Sequence, residues 1–180
     1  MHGYIKRAKE RALHNALSRS PAVAILGPRQ SGKSTTAKQL LKQMPSVYLD
    51  LQDRGDLNKL SEPELFFDRY RDKLICLDEI QLLPEFFSIL RSEIDKDRRP
   101  GRFLILGSAS RDLIKQSTES LAGRIAYIDL TPFTIKEAAG VSDWSDIWLR
   151  GGFPQSALAV NDQDSFDWRT DFIRTFMERD

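Results

Sequence analysis

One short segment near the amino terminus combines glycine, lysine and serine at a spacing that suits phosphate binding. It reads Gly27-Pro28-Arg29-Gln30-Ser31-Gly32-Lys33-Ser34, followed by Thr35. Glycines let a loop fold closely around an anion, so that successive backbone N–H groups point into its concave side. Lys33 can then reach the β- and γ-phosphates of a nucleotide, and the Ser34 hydroxyl can ligate Mg²⁺. The segment from Gly27 to Thr35 is therefore predicted to bind a nucleotide.

The surroundings of this segment favour the same interpretation. The apolar run Ala22–Leu26 precedes it and is typical of a strand buried on both faces. Ser34–Met44 follows, with apolar residues on one helical stripe, so the helix offers the positive end of its dipole to the bound phosphate. The alternative is a glycine-rich turn that carries a lysine by chance. The strand, loop and helix order favours the phosphate loop.

Two adjacent acids follow another apolar run, Leu74–Leu77. At the carboxyl end of a buried strand, Asp78 is predicted to hold the Mg²⁺ shell, usually through water. Glu79 is predicted to orient or deprotonate an attacking water as the general base. Two acids in a row also occur at solvated strand ends, and the phosphate loop upstream favours the catalytic interpretation.

Two further side chains are candidates for contact with the terminal phosphate. Ser108, with Ser110 behind it, ends the apolar run Phe103–Leu106 and is predicted to contact the γ-phosphate or the attacking water. The alternative is a turn that caps the next helix. Arg124, just before a fifth strand, is a candidate to neutralise charge that develops during phosphoryl transfer. It could act in trans on a neighbouring subunit, act in cis as a sensor, or do neither.

Alternation of strand-like and helical stretches predicts how these side chains are positioned. Five strands separated by helices indicate an α/β fold with a parallel sheet that is covered by helices. Residues 1–20 are predicted to be an amphipathic helix, with Ile5, Ala8 and Leu17 on its apolar stripe. Residues 21–130 form the predicted core, and 131–180 a helical extension. The last helix reaches residue 180 without a stop signal, which predicts a further C-terminal domain.

Composition excludes several other classes of protein. The chain has 180 residues, a formal net charge of +1, one cysteine and two histidines. A disulfide within the chain cannot form, a zinc site is not expected, and no apolar run is long enough to cross a membrane. We expect a cytoplasmic protein. The lack of a basic stripe gives no indication of nucleic-acid binding, although a local patch stays open.

Taken together, the motifs resemble those of the AAA domain 14 family of bacterial and archaeal ATPases, whose members often carry a C-terminal domain of unknown function. The matching strings are the phosphate loop, Leu77-Asp78-Glu79-Ile80-Gln81, Leu106-Gly107-Ser108-Ala109-Ser110, Leu121-Ala122-Gly123-Arg124, Leu130-Thr131-Pro132-Phe133, Gly151-Gly152-Phe153-Pro154 and Phe176-Met177-Glu178-Arg179-Asp180. The resemblance implies an AAA+ fold in which the Ser108 strand separates the Asp78 strand from the phosphate-loop strand. It also implies ATP and Mg²⁺ as ligands, with hydrolysis of ATP.

The leading hypothesis is an ATPase that couples hydrolysis to a conformational change in an unknown protein partner, with assembly into a homo-oligomer left open. One alternative is a nucleotide-gated interaction module with little turnover, associated with nucleic acid or regulating a toxin. A P-loop small-molecule kinase is a second alternative, and the adjacent Asp78 and Glu79 argue against it. No guanine-reading Asn/Thr-Lys-x-Asp string is present, which favours ATP over GTP.

Overall fold

A computed structural model describes residues 3–108 and 119–177, without the side chain of Met177. The chain divides into two compact units. The first, here called the core unit, consists of Lys9–Pro28 and Lys33–Leu130. The second, here called the extension unit, groups Arg29–Gly32 with the described residues up to Ala8 and from Thr131 onward.

The core unit is built on one five-stranded parallel sheet. The strands are β1 (Ala22–Gly27), β2 (Ser46–Asp50), β3 (Leu74–Asp78), β4 (Phe103–Ser108) and β5 (Ile125–Asp129). Their order is β2-β3-β4-β1-β5, and every neighbouring pair is parallel. The strand that ends in Ser108 therefore lies between the strand that ends in Asp78 and the one that leads into the phosphate loop. The predicted sheet and strand order are confirmed.

Helices cover both faces of this sheet. They are α1 (Glu10–Leu17), α2 (Lys33–Leu41), α3 (Arg54–Lys59), α4 (Pro63–Arg69), a 3₁₀ helix (Ile80–Leu82) and α5 (Phe86–Lys96). Val23 and Ile25 of β1 pack in one apolar cluster with residues of α1 and α2. Ala24 belongs to a second cluster with residues of α4 and α5. Alternate side chains of β1 thus serve the two faces, which explains why the whole strand is apolar.

The extension unit contains three short helices and one of 16 residues around a small core. They are α6 (Ile135–Ala138), α7 (Trp144–Arg150), α8 (Pro154–Ala157) and α9 (Asp162–Met177). Thr134 and Glu137 form the capping box that begins α6. Gly152 passes so close to the backbone of Phe133 that a Cβ atom would lie 2.2 Å from the Phe133 oxygen. Only glycine fits there, because no side chain can shift to relieve a backbone clash.

The opening helix is shorter than its apolar pattern predicts. Helix α1 begins at Glu10, so Ile5 and Ala8 precede it, although Leu13, Ala16 and Leu17 are buried as expected. The backbone N–H of Ala8 and the side chain of Arg7 instead bond to Glu137. Those contacts hold the chain outside helical geometry, and no local pattern announces a partner so distant in sequence. Within the described ranges, no helix has both the length and the apolarity that a membrane crossing requires.

Candidate functional site

The loop that carries the glycine–lysine–serine motif joins the last residue of β1 to the first residue of α2. Two of its residues have left-handed backbone conformations, with φ of 61° at Gln30 and 94° at Gly32. A residue with a Cβ atom rarely adopts such a φ, and glycine adopts it without strain. Lys33 and Ser34 are the first two residues of α2. The motif therefore has the strand, loop and helix arrangement that phosphate binding requires.

Lys33 turns back across this loop. Its side chain is buried, and its Nζ atom donates to the carbonyl oxygen of Gly27 at 3.1 Å and to that of Pro28 at 2.9 Å. An ammonium group needs such partners when it leaves water. A phosphate at the loop would offer stronger, charged acceptors in place of the carbonyls.

The remaining residues of the loop differ in exposure. Pro28, Arg29, Gln30 and Thr35 are exposed, and Ser34 is half-buried. Ser31 is fully buried, and its Oγ atom has no hydrogen-bond partner within the described part of the chain. A buried hydroxyl without a partner is unusual in folded proteins and is a common sign of a ligand or water site. It is consistent with a polar ligand at the loop.

Asp78 lies at the end of β3 and is only 3% exposed. One of its oxygens accepts the backbone N–H of Glu79 at 2.9 Å, and the other accepts the hydroxyl of Tyr48. Burial and the hydrogen bond to Asp78 raise the pKa of Tyr48 far above its ordinary value, so Tyr48 remains a donor. Each carboxylate oxygen has two lone pairs. Asp78 is thus held in a fixed orientation and keeps capacity for a hydrated cation.

Glu79 follows in the left-handed conformation, with φ 59° and ψ 41°. Such a backbone is costly for a residue with a side chain, and it occurs most often at functional positions. The amide nitrogen of Gln81 donates to one oxygen of the Glu79 carboxylate. The amide oxygen of the same Gln81 accepts the backbone N–H of Ser108 at 3.4 Å. Gln81 therefore joins the candidate general base to the end of β4.

Strand register brings Ser108 to the phosphate loop. Ser108 is the direct partner of Gly27 in the pairing of β4 with β1, and Asp50 is the partner of Asp78 in the pairing of β2 with β3. Parallel strands place their carboxyl ends at one edge of the sheet, where open α/β sheets bind ligands. Five candidate residues therefore lie at that edge or in the segment directly after it, namely Lys33, Ser34, Asp78, Glu79 and Ser108. Ser110, the candidate behind Ser108, lies outside the described residues.

Arg124 is not brought to this edge. It precedes the first residue of β5, and its carbonyl accepts the N–H of Ala22, the first residue of β1. Both residues are at the amino end of the sheet, a strand length from the phosphate loop. The Arg124 guanidinium donates to both carboxylate oxygens of Asp95, at 2.9 and 2.8 Å. The geometry does not support a role in cis, and a role in trans stays a prediction.

The residues at the carboxyl edge fit a nucleotide with Mg²⁺. Among residues 3–108 and 119–177, no group of three or more His, Cys, Asp or Glu side chains is arranged to hold a metal ion alone. Mg²⁺ usually takes only one or two carboxylates from the protein and completes its shell with phosphate oxygens and water. A buried, oriented Asp78 and the hydroxyl of Ser34 match that requirement.

Three side chains that contact residues of the candidate site carry no clear signal in the sequence. Tyr48 contacts Asp78 because their strands pair, with Tyr48 opposite Cys76 and thus diagonal to Asp78. Gln81 belongs to a string shared with a family, but its type alone indicates no role. Arg7 donates to the carbonyl of Ser31 at 2.9 Å from a segment before α1. Knowledge of the register could reveal Tyr48, whereas the Arg7 contact depends on the tertiary fold.

Comparison with known families identifies two matches that together cover most of the chain. The model of the AAA domain 14 family, described as an AAA domain, matches residues 19–139. A second model, described as a domain of unknown function, matches residues 141–180. Both agree with the family that the sequence motifs resemble.

Two curated relatives and one solved structure are similar to this chain. The uncharacterized proteins Rv2008c of Mycobacterium tuberculosis and Mb2031c of Mycobacterium bovis are each 42% identical over 168 residues. That alignment covers 93% of this chain but 38% of each relative. A solved structure, the Walker-type ATPase PABY2304 of Pyrococcus abyssi, superposes with a TM-score of 0.65 at 17% identity, over 97% of this chain and 74% of its own. The chain belongs to the AAA domain 14 family and has the fold of a P-loop ATPase.

Proposed function

We propose that this protein binds ATP with Mg²⁺, hydrolyses it, and uses the hydrolysis to change the conformation of a protein partner. Membership of an AAA domain family supports nucleotide binding. The loop geometry, the position of Lys33 in the first turn of α2 and the buried hydroxyl of Ser31 support the same conclusion. An unknown protein partner and a cytoplasmic location are also part of the proposal.

The observation that carries hydrolysis is the position and conformation of Glu79. It directly follows the Asp78 predicted to hold the cation, adopts a strained left-handed backbone, and is connected through Gln81 to Ser108. A carboxylate fixed beside the terminal phosphate can orient water and accept its proton. An acid at a merely solvated strand end would need neither the strained backbone nor the amide that holds its carboxylate.

Each residue then has a defined part in the reaction. The loop N–H groups and Lys33 would bind the phosphates, and Ser34 and Asp78 would hold Mg²⁺, which would supply positive charge to neutralise the phosphate groups. Glu79 accepts the proton as the water oxygen forms its bond to the γ-phosphorus and the bond to the leaving ADP oxygen breaks. Ser108 donates a hydrogen bond to the γ-phosphate or positions the water.

Two variants test the proposal. Glu79→Gln keeps the size of the side chain but cannot accept the proton, so kcat should fall by about 10²- to 10⁴-fold with the affinity for ATP retained. Lys33→Ala should weaken ATP binding by about 10- to 100-fold, since it removes a charged hydrogen bond to phosphate. Phosphate release and calorimetric titration measure the two effects.

Matched controls are available among the exposed side chains of the chain. Glu85→Gln and Lys42→Ala change exposed side chains of the same types, and neither should alter turnover or affinity. Undiminished hydrolysis by Glu79→Gln would refute the assignment of the base. A parent protein that binds ATP but releases no phosphate would favour the nucleotide-gated interaction module instead. ADP formation that depends on an added acceptor would indicate the kinase.

A further inference from the structure

Arg7 is a buried cation that the proposed reaction does not use. It precedes α1 and is 3% exposed. Arginine is almost never buried so completely unless other groups compensate its charge and satisfy its five donors. The contacts of Arg7 therefore indicate what its burial accomplishes.

Those contacts join three segments of the extension unit. The guanidinium donates to the carbonyl of Ser31 at 2.9 Å, to the carboxylate of Glu137 at 3.1 Å and to the carbonyl of Thr131 at 2.5 Å. Its carbon atom lies 4.9 Å from the centre of the Phe133 ring, within range of a cation–π interaction. A planar group with five donors can serve three acceptors at once, which a lysine cannot do in the same geometry.

The bond to Ser31 fixes one peptide of the phosphate loop. The carbonyl of Ser31 and the N–H of Gly32 share a planar peptide unit, and no cis bond occurs among the described residues. In a trans peptide the two groups point in opposite directions. Because Arg7 holds the carbonyl on its own side, the N–H of Gly32 turns to the other face of the loop. Gly32 also lies close to Arg7, since a Cβ atom there would be 3.3 Å from Nη1.

We propose that Arg7 is a positioning residue for the phosphate loop. By binding the carbonyl of Ser31, it turns the N–H of Gly32 toward the bound phosphate and prevents the carbonyl oxygen from facing that anion. A loop that binds phosphate needs its N–H groups on the concave side, and a carbonyl there would repel the ligand. Glu137 and the carbonyl of Thr131 hold the guanidinium in the orientation that this requires.

The proposal rests on the nucleotide binding in the proposed function and does not depend on hydrolysis. Calorimetric titration with Mg²⁺–ATP and with ADP tests it in the parent, Arg7→Lys and Arg7→Met. We expect Kd to rise by about 10- to 100-fold in Arg7→Met, and by less in Arg7→Lys, which keeps the charge. Urea unfolding of each variant gives its folded fraction, and the measured Kd is corrected for that fraction, because a population of unfolded chains raises the apparent Kd.

Two further variants separate this role from a purely structural one. Glu137→Gln leaves the bond to Ser31 in place but loosens the guanidinium, so Kd should rise by about 2- to 5-fold. Arg102→Met removes another buried arginine that does not touch the loop, and Kd should not change. Values of Kd within twofold of the parent in Arg7→Lys, Arg7→Met and Glu137→Gln would overturn the proposal. A parent that binds no nucleotide overturns it together with the proposed function, whereas binding without turnover overturns hydrolysis alone.

Discussion

Two buried arginine–glutamate pairs stabilise different parts of this molecule. Arg7 and Glu137 have side chains 2% and 5% exposed, and Arg102 and Glu93 have side chains 3% and 6% exposed. Their N–O distances, 3.1 and 2.9 Å, are also similar. The chemistry and burial of the two pairs are therefore nearly the same.

Their surroundings separate the two pairs. Arg102 precedes β4, and its Nη1 atom donates to the backbone carbonyls of Glu93 and Asp97, so it links α5 to β4, while its buried Nε atom has no hydrogen-bond partner among the described residues. Arg7 bonds to Glu137, which is 130 positions away in the sequence, and it donates to the carbonyl of Ser31 in the phosphate loop. Burial and pairing alone do not distinguish a structural ion pair from one that shapes a ligand site. The further hydrogen-bond partner of each arginine makes the distinction, since Arg102 bonds to backbone carbonyls near the end of α5 and Arg7 bonds to a carbonyl of the phosphate loop.

Arg102→Met should cause a larger loss of stability than the substitutions of Glu137 and Asp95. Removing Arg102 leaves the buried Glu93 carboxylate with only the more exposed ammonium of Lys96, at 2.6 Å, as an ion-pair partner among the described residues. Breaking a buried pair typically costs about 3–5 kcal/mol, and Lys96 should keep the loss at the lower end of that range. We expect that loss in urea unfolding, with ATP affinity unchanged. Weakened ATP binding in the folded variant would contradict the distinction between the two pairs.

Glu137→Gln should have a smaller effect on stability, because the amide oxygen still accepts hydrogen bonds. The loss should be about 1–3 kcal/mol, the range for a hydrogen bond to a charged group. The same unfolding experiment measures it. Glu119→Gln changes an exposed residue and is the control. A loss as large as that of Arg102→Met would indicate that the two pairs are structural to the same degree.

The free energy of unfolding should depend on pH through the ionisation of the Glu137 carboxylate. Burial alone raises its pKa, but hydrogen bonds from the backbone of Thr134 and Ala8 and from Arg7 outweigh burial and hold the pKa below its ordinary value of 4.5. The pKa is lower in the folded chain, so the stabilisation is present above pH 4.5 and is lost as the pH falls below it. The difference in unfolding free energy between parent and Glu137→Gln should shrink between pH 7 and pH 3. A constant difference would refute this.

The smallest effect should come from the exposed pair of Asp95 and Arg124. The Arg124 guanidinium lowers the pKa of Asp95 to about 2, so the pair stays ionised through the neutral and mildly acidic range. Exposed pairs contribute little because solvent screens them. Asp95→Asn should change neither the melting temperature nor ATP turnover measurably. A large loss of turnover would revive a catalytic role for Arg124.

The sequence predicts those elements whose structure is determined by residues close together in the chain. Runs such as Ala22–Leu26 and Leu74–Leu77 are apolar because both faces of their strands are covered, so the strands and their parallel order follow from the pattern. The loop from Gly27 to Ser34 is recognisable because phosphate geometry dictates residue types at fixed spacing. Contacts between distant segments leave no such pattern, which explains why Arg7 and the true start of α1 were not predictable.

The residues of the candidate site also fall into two groups, those with a local sequence pattern and those that depend on contacts elsewhere in the fold. Asp78, Glu79 and Ser108 are predictable because each ends or follows an apolar run. The contact of Tyr48 with Asp78 depends on which strand pairs with β3. The contact of Gln81 with Glu79 depends on the 3₁₀ helix that follows β3. Arg124 also follows a local pattern, but its strand begins there instead of ending. A motif beside a strand therefore indicates a site residue only when the direction of the strand is considered.

Placement of β4 between β1 and β3 has a consequence for the choice of nucleotide. Neighbouring strands lie about 4.8 Å apart, so the strand that bears Glu79 is about 10 Å from the strand that feeds the phosphate loop. Two strand spacings thus separate the loop that is proposed to bind the phosphate chain from the glutamate that is proposed to activate water. Under the proposed function, a diphosphate held by the loop would end short of Glu79, while a triphosphate would extend toward it. The sheet itself, rather than any one side chain, would let the protein register the third phosphate.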